Sequence, residues 1–411
     1  MTRYCPCTAL FGAALALAAC QPARAQMAMM DGMLGHYGMT LDASGTAWQP
    51  ASTPMAGPMW SSGGWSGMAE ANVALVYDHQ SGPRGDDQVF SESMGMVMAQ
   101  RGAGPGTLTL KAMGSLDPAM GPRGYPLLVQ TGETADGRTA LVDRQHPHNL
   151  LMELGAVYSL PLGEGTSAFL YLAYPGEPAL GPATFMHRAS GRDDPAAPIT
   201  HHWLDSTHIT FGVATAGLVH GPVKIEASWF NGREPDQHRW GFQPLRMDSW
   251  SARATLNPTR NLSLQISRGH LASPEQLEPE VSQDRLTASA TWNRKLLTAN
   301  WQTTLAWGRN TDHPGHRLDG FLLESALHTR NWTLFARAER VTKDDLVPGD
   351  ATPRRVAATS LGMVWDHPIA RNLMLGLGVV ATRNAVPADL AGAYGSAYPA
   401  GIMPFVRLKL L

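Results

Sequence analysis

Apolar and polar residues alternate with a period of two in many segments of this chain, most clearly in the stretch 207–229. Two arms, 207–219 and 223–229, flank a tight turn, so the pattern predicts a β-hairpin. Each arm spans about ten residues, which is the length that a tilted strand needs to cross a bilayer. We interpret this hairpin as the repeating unit of a transmembrane β-barrel. The apolar face of the first arm comprises Ile209, Phe211, Val213 and Val219.

The same alternation predicts about sixteen strands after residue 69, and about 14 to 18 strands are compatible with the pattern. The predicted strands are 69–80, 88–101, 106–116, 151–161, 166–174, 207–219, 223–231, 247–257, 262–271, 283–293, 298–308, 318–329, 332–341, 354–366, 373–383 and 402–411. We therefore predict an all-β fold, an antiparallel transmembrane β-barrel, with a flexible N-terminal extension. An even strand number places both ends of the barrel on the periplasmic side.

The connections between the predicted strands support this architecture, because every second connection is short and the others are mostly longer and polar. The short connections are 102–105, 162–165, 220–222, 258–261, 294–295, 330–331 and 367–372. The longer connections are 117–150, 175–206, 232–246, 272–282, 309–317, 342–353 and 384–401. Short periplasmic turns that alternate with long outer loops are typical of outer-membrane barrels.

The polar face of the predicted strands carries charges of both signs. The candidate pore-lining residues are Lys111, Glu153, Lys224, Glu226, Arg253, Arg285, Glu324, His328, Arg337, Glu339, Arg407 and Lys409. They could form a solvated wall whose opposite charges pair across neighbouring strands, or a lining that selects among solutes. The mixed signs favour neither anions nor cations. Met94, Met96 and Met98 share a strand face with Phe90, and we expect this stripe to contact lipid.

Composition excludes other classes of protein. The 411 residues carry a formal net charge of -2, which gives no indication of a nucleic-acid partner. Charged residues make up only 16%, and the mean hydropathy of -0.17 is too polar for a helical membrane protein. The apolar residues must therefore be dispersed, as alternating strands disperse them.

The first residues are predicted to be a signal peptide, 1–25, with a cleavage site at Ala23-Arg24-Ala25. A competing interpretation is a lipoprotein signal in which Cys20 is acylated. All three cysteines lie in this segment, so the mature chain would offer no disulfide and no thiolate ligand. The predicted domains are the signal peptide 1–25, an extension 26–68 rich in Met, Gly and Ser, and the barrel 69–411.

The extension 26–68 has no sustained periodicity, and two interpretations remain open. It is either a flexible periplasmic segment, partly folded into the barrel, or a cluster of thioethers for a soft ion such as Cu(I). The candidate metal ligands in this segment are Met27, Met29, Met30 and His36.

The second and third long loops hold a second set of candidate metal ligands, because imidazole is a common ligand and the two loops are neighbours. These candidates are His146, His148, Met186, His187, His201 and His202. The alternative is that these side chains hydrogen-bond a loop folded into the barrel mouth. In porins the third loop commonly constricts the pore, and 175–206 is the third loop here. The charged run 231–239 is interpreted as an exposed loop tip held by internal ion pairs and turn chemistry, with ligand binding as the alternative.

Several strings of the chain resemble a family of largely uncharacterised, porin-like outer-membrane proteins of Gram-negative bacteria. These strings are 43–50, 143–148, 175–179, 185–188, 201–203 and 232–239. The resemblance implies a location in the bacterial outer membrane, but it brings no established activity or catalytic residues. The Met-rich leader is similar to that of the copper-resistance B barrels, although it lacks their dense Met/His repeats.

The sequence thus favours a passive channel for ions or small solutes, with outer-membrane lipid as its surroundings and with either a monomeric or a homo-oligomeric state. The alternative is a copper-handling barrel that uses the N-terminal methionines and the loop histidines; copper is the single cofactor candidate. A surface enzyme is the third alternative. It is not favoured, because the chain has no G-x-S-x-G motif and no catalytic residues can be assigned.

Overall fold

The computed structural model describes residues 30–55 and 57–410. The predicted signal peptide and the candidate ligands Met27 and Met29 lie outside these residues. In the described ranges, no helix has the length and apolar character needed to cross a membrane.

Sixteen antiparallel strands form a closed barrel, as the alternation predicted. The strands are Trp65–Gln80 (β1), Asp87–Ala103 (β2), Gly106–Gly114 (β3), Leu151–Gly163 (β4), Thr166–Ala173 (β5), Val213–His220 (β6), Val223–Phe230 (β7), Ser249–Thr259 (β8), Leu262–Leu271 (β9), Ser282–Lys295 (β10), Asn300–His313 (β11), Arg317–His328 (β12), Trp332–Lys343 (β13), Arg354–Ala370 (β14), Leu373–Ala385 (β15) and Ala400–Leu410 (β16). Strand β16 pairs with β1, for example at Leu410 and Ala71. Closure leaves no free sheet edge in the bilayer, where an unpaired backbone group would be costly.

The remaining elements are short. Additional strands are Asp31–Gly32, Gly35–Gly38, Met59–Ser62, Tyr125–Thr134 and Ala140–Gln145. Within 30–55 and 57–410, two α-helices, His201–Leu204 and Ala388–Tyr394, and three 3₁₀ helices, Met39–Leu41, Asp117–Met120 and Ser206–His208, lie outside the barrel strands. Most of these elements belong to the N-terminal segment or to the long loops, so the barrel itself is purely β.

The connections follow the predicted alternation with two differences. The predicted strand 207–219 begins only at Val213, because 207–212 belong to the third loop, where Ile209 and Phe211 are buried. The predicted long connection 309–317 is short, since β11 extends to His313 and β12 begins at Arg317. The turn between β6 and β7 is tight as predicted, and Gly221 adopts a positive φ of 52° there.

The two arms of the hairpin 207–229 differ in which face points outward. On β7 the prediction is correct, since Ile225 and Trp229 are exposed while Lys224 and Glu226 are buried. On β6 the apolar face points inward: Val213 and Val219 are buried, and it is Leu218 that is exposed. This reversal has a packing cause, because Met33 and Leu34 of the N-terminal segment lie inside the barrel and pack with these valines.

The methionine stripe on β2 also faces inward, so the predicted lipid contact is wrong. Met94 and Met98 are buried in clusters with residues of the N-terminal segment and the long loops. Their neighbour Val89, of the opposite parity, is exposed on the outer surface. An inward methionine needs apolar partners, and the material inside the barrel supplies them.

Two segments fill the barrel. The N-terminal insert, 30–55, contacts inner-wall residues of β2, β3, β5, β7, β8, β10 and β11. The third loop, 174–212, contacts inner-wall residues of β7 to β13 and of β16. The second outer loop, 115–150, contacts β2. Most inward-facing side chains of the strands are consequently buried. The first barrel strand begins at Trp65. Of the two interpretations of the segment 26–68, the position of the insert matches the one in which this segment is partly folded into the barrel.

The outward-facing side chains form an apolar surface, so a charge at mid-height should be costly. We expect Leu323→Arg, at a position that is exposed on β12, to destabilise the protein by about 2–4 kcal/mol in lipid vesicles. The matched control is Leu297→Arg in the short turn after β10, where the same change should cost at most about 1 kcal/mol near the interface. Reversible unfolding in denaturant measures both values. Equal costs at the two positions would contradict the assigned lipid-facing surface.

Candidate functional site: the charged interior and the loop histidines

The predicted pore-lining residues all lie on strands and project into the barrel. Eleven of them are less than 10% exposed, and the side chain of His328 is 18% exposed. They therefore do not border an open aqueous space in this structure. Each charge has instead a partner on a neighbouring strand, in the N-terminal insert or in the third loop.

The N-terminal insert is held by a group of charges on β7 and β8. Glu226 lies 2.8 Å from Lys224 Nζ and 2.9 Å from Arg253 Nε, so two cations share one carboxylate. The hydroxyl of Thr46 donates to Glu226, and Lys224 donates to the carbonyl oxygen of Thr46. Nearby, Lys111 pairs with Glu153 at 3.0 Å and donates to the carbonyl oxygen of Gly45 at 3.1 Å. The wall charges thus clamp the insert through its backbone and one hydroxyl.

An arginine of the third loop binds the far wall. Arg188 Nε lies 2.5 Å from Glu324 on β12, and its Nη1 lies 2.7 Å from Asp205 in the same loop. Burial raises the pKa of Asp205, but Arg188 and the hydrogen bond with His201 outweigh it, so the pKa lies below its usual range. Asp205 is therefore ionised beside Arg188, which is itself 2% exposed.

Two acidic residues of the third loop meet the cations of the wall. Asp193 accepts from Arg407 at 2.6 Å, and it lies 2.7 Å from His328 and 3.5 Å from Lys409. Asp194 lies 3.1 Å from Arg337. The remaining wall residues also bind this loop. Glu339 accepts from Thr200, and Arg285 donates to Ser206.

The charges of the third loop therefore complement those of the wall. Sequence reasoning found the wall residues by their parity, but it missed Arg188, Asp193, Asp194 and Asp205. The dense polar composition of 175–206 was the available signal. The pairing could not be read from it, because the partners are distant in sequence.

The structure brings four of the predicted loop histidines together, along with His208. Ring centroids are 5.5 Å apart for His201 and His202, 6.2 Å for His146 and His202, and 5.3 Å for His148 and His208. Three of these rings are hydrogen-bonded within the loops, as in the alternative interpretation: His148, His201 and His208. Their Nδ1 atoms lie 2.7–2.8 Å from oxygens of Asp205 or Asp117.

The other predicted metal candidates lie elsewhere. His187 has its Nε2 atom 3.4 Å from the sulfur of Met113, and Met186 lies in an apolar cluster with Phe185. His36 is exposed and lies 3.0 Å from Asp31. Met30 is buried among other methionines. These residues thus do not form one site with the loop histidines.

The charged run 231–239 is not the exposed loop tip that the sequence suggested. Glu234 and Arg239 are buried, and Arg239 contacts Glu133 of the second outer loop. Only the outer part of the run, with His238 beside Asp236, is exposed as an internal pair. The fourth outer loop, 231–248, therefore packs against its neighbours, and it brings Glu234 close to His146 and His202.

A closed sixteen-stranded barrel with an apolar exterior and a charged interior defines a porin-like protein of the bacterial outer membrane. The fold is similar to the structure of Salmonella typhi OmpF in complex with daunomycin, at TM-score 0.53 and 7% identity over 86% of this chain and 100% of that chain. It is also similar to Pseudomonas putida OprB, at TM-score 0.53 and 9% identity over 84% of this chain and 94% of that chain. No protein-family model matches the sequence, and a comparison with curated proteins gives no match.

The ion pairs of Arg188 predict a large effect of its removal. In Arg188→Ala the buried carboxylates of Glu324 and Asp205 lose their shared cation, so we expect a loss of about 3–5 kcal/mol or the release of the third loop. Limited proteolysis within 174–212, together with unfolding in denaturant, measures this change. The control is Arg309→Ala, whose partner Asp319 is partly exposed, and which should cost about 0–1 kcal/mol. Equal protease resistance of Arg188→Ala and wild type would contradict the anchoring role.

Proposed function

We propose that the protein is an outer-membrane channel for ions or small solutes, and that the N-terminal insert is the plug that controls it. The observation that supports this proposal is that the charged residues of the inner wall are buried against the insert and the third loop. Porin-like walls of this kind line aqueous channels when the lumen is open. Because the lumen is filled here, passage requires the insert to move.

The contacts of the insert support a removable plug. Asn257 donates to the carbonyl oxygen of Gln49 at 2.8 Å, and Gln302 donates to Thr53 at 3.0 Å. Ser52 donates to the carbonyl oxygen of Asn293 at 3.2 Å. Polar contacts of this kind can be replaced by contacts to water when the insert leaves. The apolar contacts of the insert, for example those of Met33 and Leu34 with the wall, would have to be broken as well.

The third loop is the fixed side of this arrangement. Its anchors are buried ion pairs to Glu324, Arg337 and Arg407, and separating them would leave charges unpaired in the barrel. The insert has its own clamp at Glu226, but it is also bonded to the third loop where Ser44 meets Thr184. We infer that opening separates the insert from both the wall and the third loop.

A disulfide between the insert and the third loop tests this proposal. The hydroxyl oxygens of Ser44 and Thr184 are 3.3 Å apart, and no native cysteine follows Cys20 in the sequence. We expect Ser44→Cys with Thr184→Cys to conduct in planar bilayers when reduced and to be closed when oxidised, because the disulfide fixes the plug. The single cysteine variants are the controls and should not respond to oxidation. A silent wild-type protein, or unchanged conductance after complete disulfide formation, would contradict the plug.

A second candidate function is the handling of a soft metal ion, and one feature favours it. Four buried methionines, Met30, Met39, Met68 and Met98, form a cluster that we call the methionine cluster. Met55, Met59 and Met96 pack against it, so every apolar member is a thioether. A cavity of about 70 Å³ adjoins the cluster and is also lined by His187. Thioethers with one imidazole are suitable ligands for Cu(I).

Substitution by leucine separates a metal role from a packing role. Met68→Leu with Met98→Leu conserves side-chain volume but removes two sulfur atoms, so the fold should be kept while Cu(I) binding is lost. Competition with a chromophoric Cu(I) chelator on the detergent-solubilised protein measures the binding. The control is Met363→Leu, at an exposed position on β14, which should bind as wild type does. Unchanged Cu(I) affinity in the double variant would exclude this candidate function.

A further inference from the structure

Three outer loops each contribute one buried side chain to a common point. His146 comes from the second outer loop, His202 from the third loop and Glu234 from the fourth outer loop. One nitrogen or oxygen atom from each lies within 4.8 Å of the other two. All three residues are less than 10% exposed. No two of these ligands are close neighbours in sequence, so only the packing of the loops assembles the group.

The candidate ligating atoms of this group have no hydrogen-bond partner, a feature that they share with Nε2 of His208. Among the residues that the structure describes, His146 Nε2, His202 Nε2 and Glu234 Oε1 are buried without a hydrogen bond. Buried polar atoms without partners are costly and need an explanation. The Nδ1 atoms of His148, His201 and His208 are different, because each has an oxygen within hydrogen-bond distance.

The orientation of His146 suits a metal ligand. Its Nδ1 atom lies 3.3 Å from the carbonyl oxygen of Pro147, which can only accept, so Nδ1 carries the proton. The lone pair is then on Nε2, which has no hydrogen bond. A backbone carbonyl that fixes the tautomer in this way is the usual companion of a histidine ligand.

Further carboxylates lie close to this group. Glu133 has an oxygen 3.4 Å from His146 Nε2, and the carboxylate of Glu275 accepts from the backbone nitrogen of Glu133.

Three cations lie near this group, and each has protein partners of its own. Arg239 is paired with Glu133, Arg285 donates to Ser206 and Asn310, and Lys343 donates to Gln130 and Thr131. The point between the two imidazoles and Glu234 is bordered by imidazole nitrogens and carboxylate oxygens. A cation there would satisfy the unpartnered atoms and would compensate the buried carboxylates.

The backbone also keeps the space beside His202 open. Gly132 adopts a positive φ of 111°, and a Cβ atom at this position would lie 2.8 Å from His202 Nε2. Only glycine fits this approach without displacing the ring. A cavity of about 140 Å³, lined by His202, Glu133 and Glu275, adjoins the group and gives an ion a path from the loop surface.

We propose that His146, His202 and Glu234 bind one Zn²⁺ ion that fastens three outer loops together. Two imidazoles and one carboxylate are a common protein donor set for zinc, with the fourth position left to another ligand. Glu133 is the nearest further donor. The ion would close the outer mouth of the barrel, at the end opposite the short turns. This inference goes beyond the channel, because Zn²⁺ binding is measured without any conductance.

Zinc titration of the detergent-solubilised, chelator-treated protein tests the site. We expect wild type to bind one Zn²⁺ per chain in competition with a fluorescent chelator, and Co²⁺ to give the visible absorption of a low-coordinate site. His202→Ala, His146→Ala and Glu234→Gln should each weaken binding by at least about 10- to 100-fold, the range seen when even a partner of a metal ligand is removed. The matched control is His238→Ala, because His238 is an exposed histidine of the same loop as Glu234. This variant should bind Zn²⁺ as wild type does.

A second readout separates binding from misfolding. Zn²⁺ should slow protease cleavage of the second, third and fourth outer loops in wild type and in His238→Ala, but not in His202→Ala. The heat-modifiable gel mobility of the barrel reports folding of every variant, and Glu234→Gln conserves the size of the side chain. Absence of Zn²⁺ binding by the folded wild type would overturn the proposal. Equal affinity in wild type, His202→Ala and Glu234→Gln would overturn it as well.

Discussion

The arrangement of the barrel interior depends on ion pairs and charged hydrogen bonds between the wall and the two segments inside it. Arg188 of the third loop lies between Glu324 and Asp205, and Asp193 lies between Arg407 and Lys409. A buried charge that loses its partner costs several kcal/mol, so each wall charge fixes where the third loop can lie. The order of the interior follows from these pairs more than from the shape of the barrel.

The two inserted segments are held by different kinds of contact, and this difference relates the structure to its proposed action. The third loop uses ion pairs between buried side chains, which resist separation. Much of the N-terminal insert is held through its backbone carbonyls and hydroxyls, for example at Thr46 and Gln49, and water can replace such contacts. The segment that is easier to hydrate is the better plug. At the other end, the packing of three outer loops around His146 and His202 closes the mouth.

The period-two pattern predicted the architecture well because alternation is a local property of a strand. The sixteen strands, the tight turn at Gly221 and the inward charges such as Glu226 and Arg407 all follow from parity and turn residues. Parity shows which side chains share a face, but it does not show which face is inside. A water-filled lumen would make the polar face the inner one throughout. Here the lumen contains protein, so Val213 and Met98 point inward and contact apolar partners.

The sequence by itself determined the barrel architecture with about sixteen strands, the alternation of short turns and long loops, and the charged residues that face the interior. Only the tertiary structure decided which partner each charge has and which loop side chains meet. Arg188 and Glu324 are 136 positions apart, and His146 reaches Glu234 only because three loops fold together. Local periodicity cannot encode such pairs, since their free energy depends on burial, and burial is set by every segment that enters the barrel.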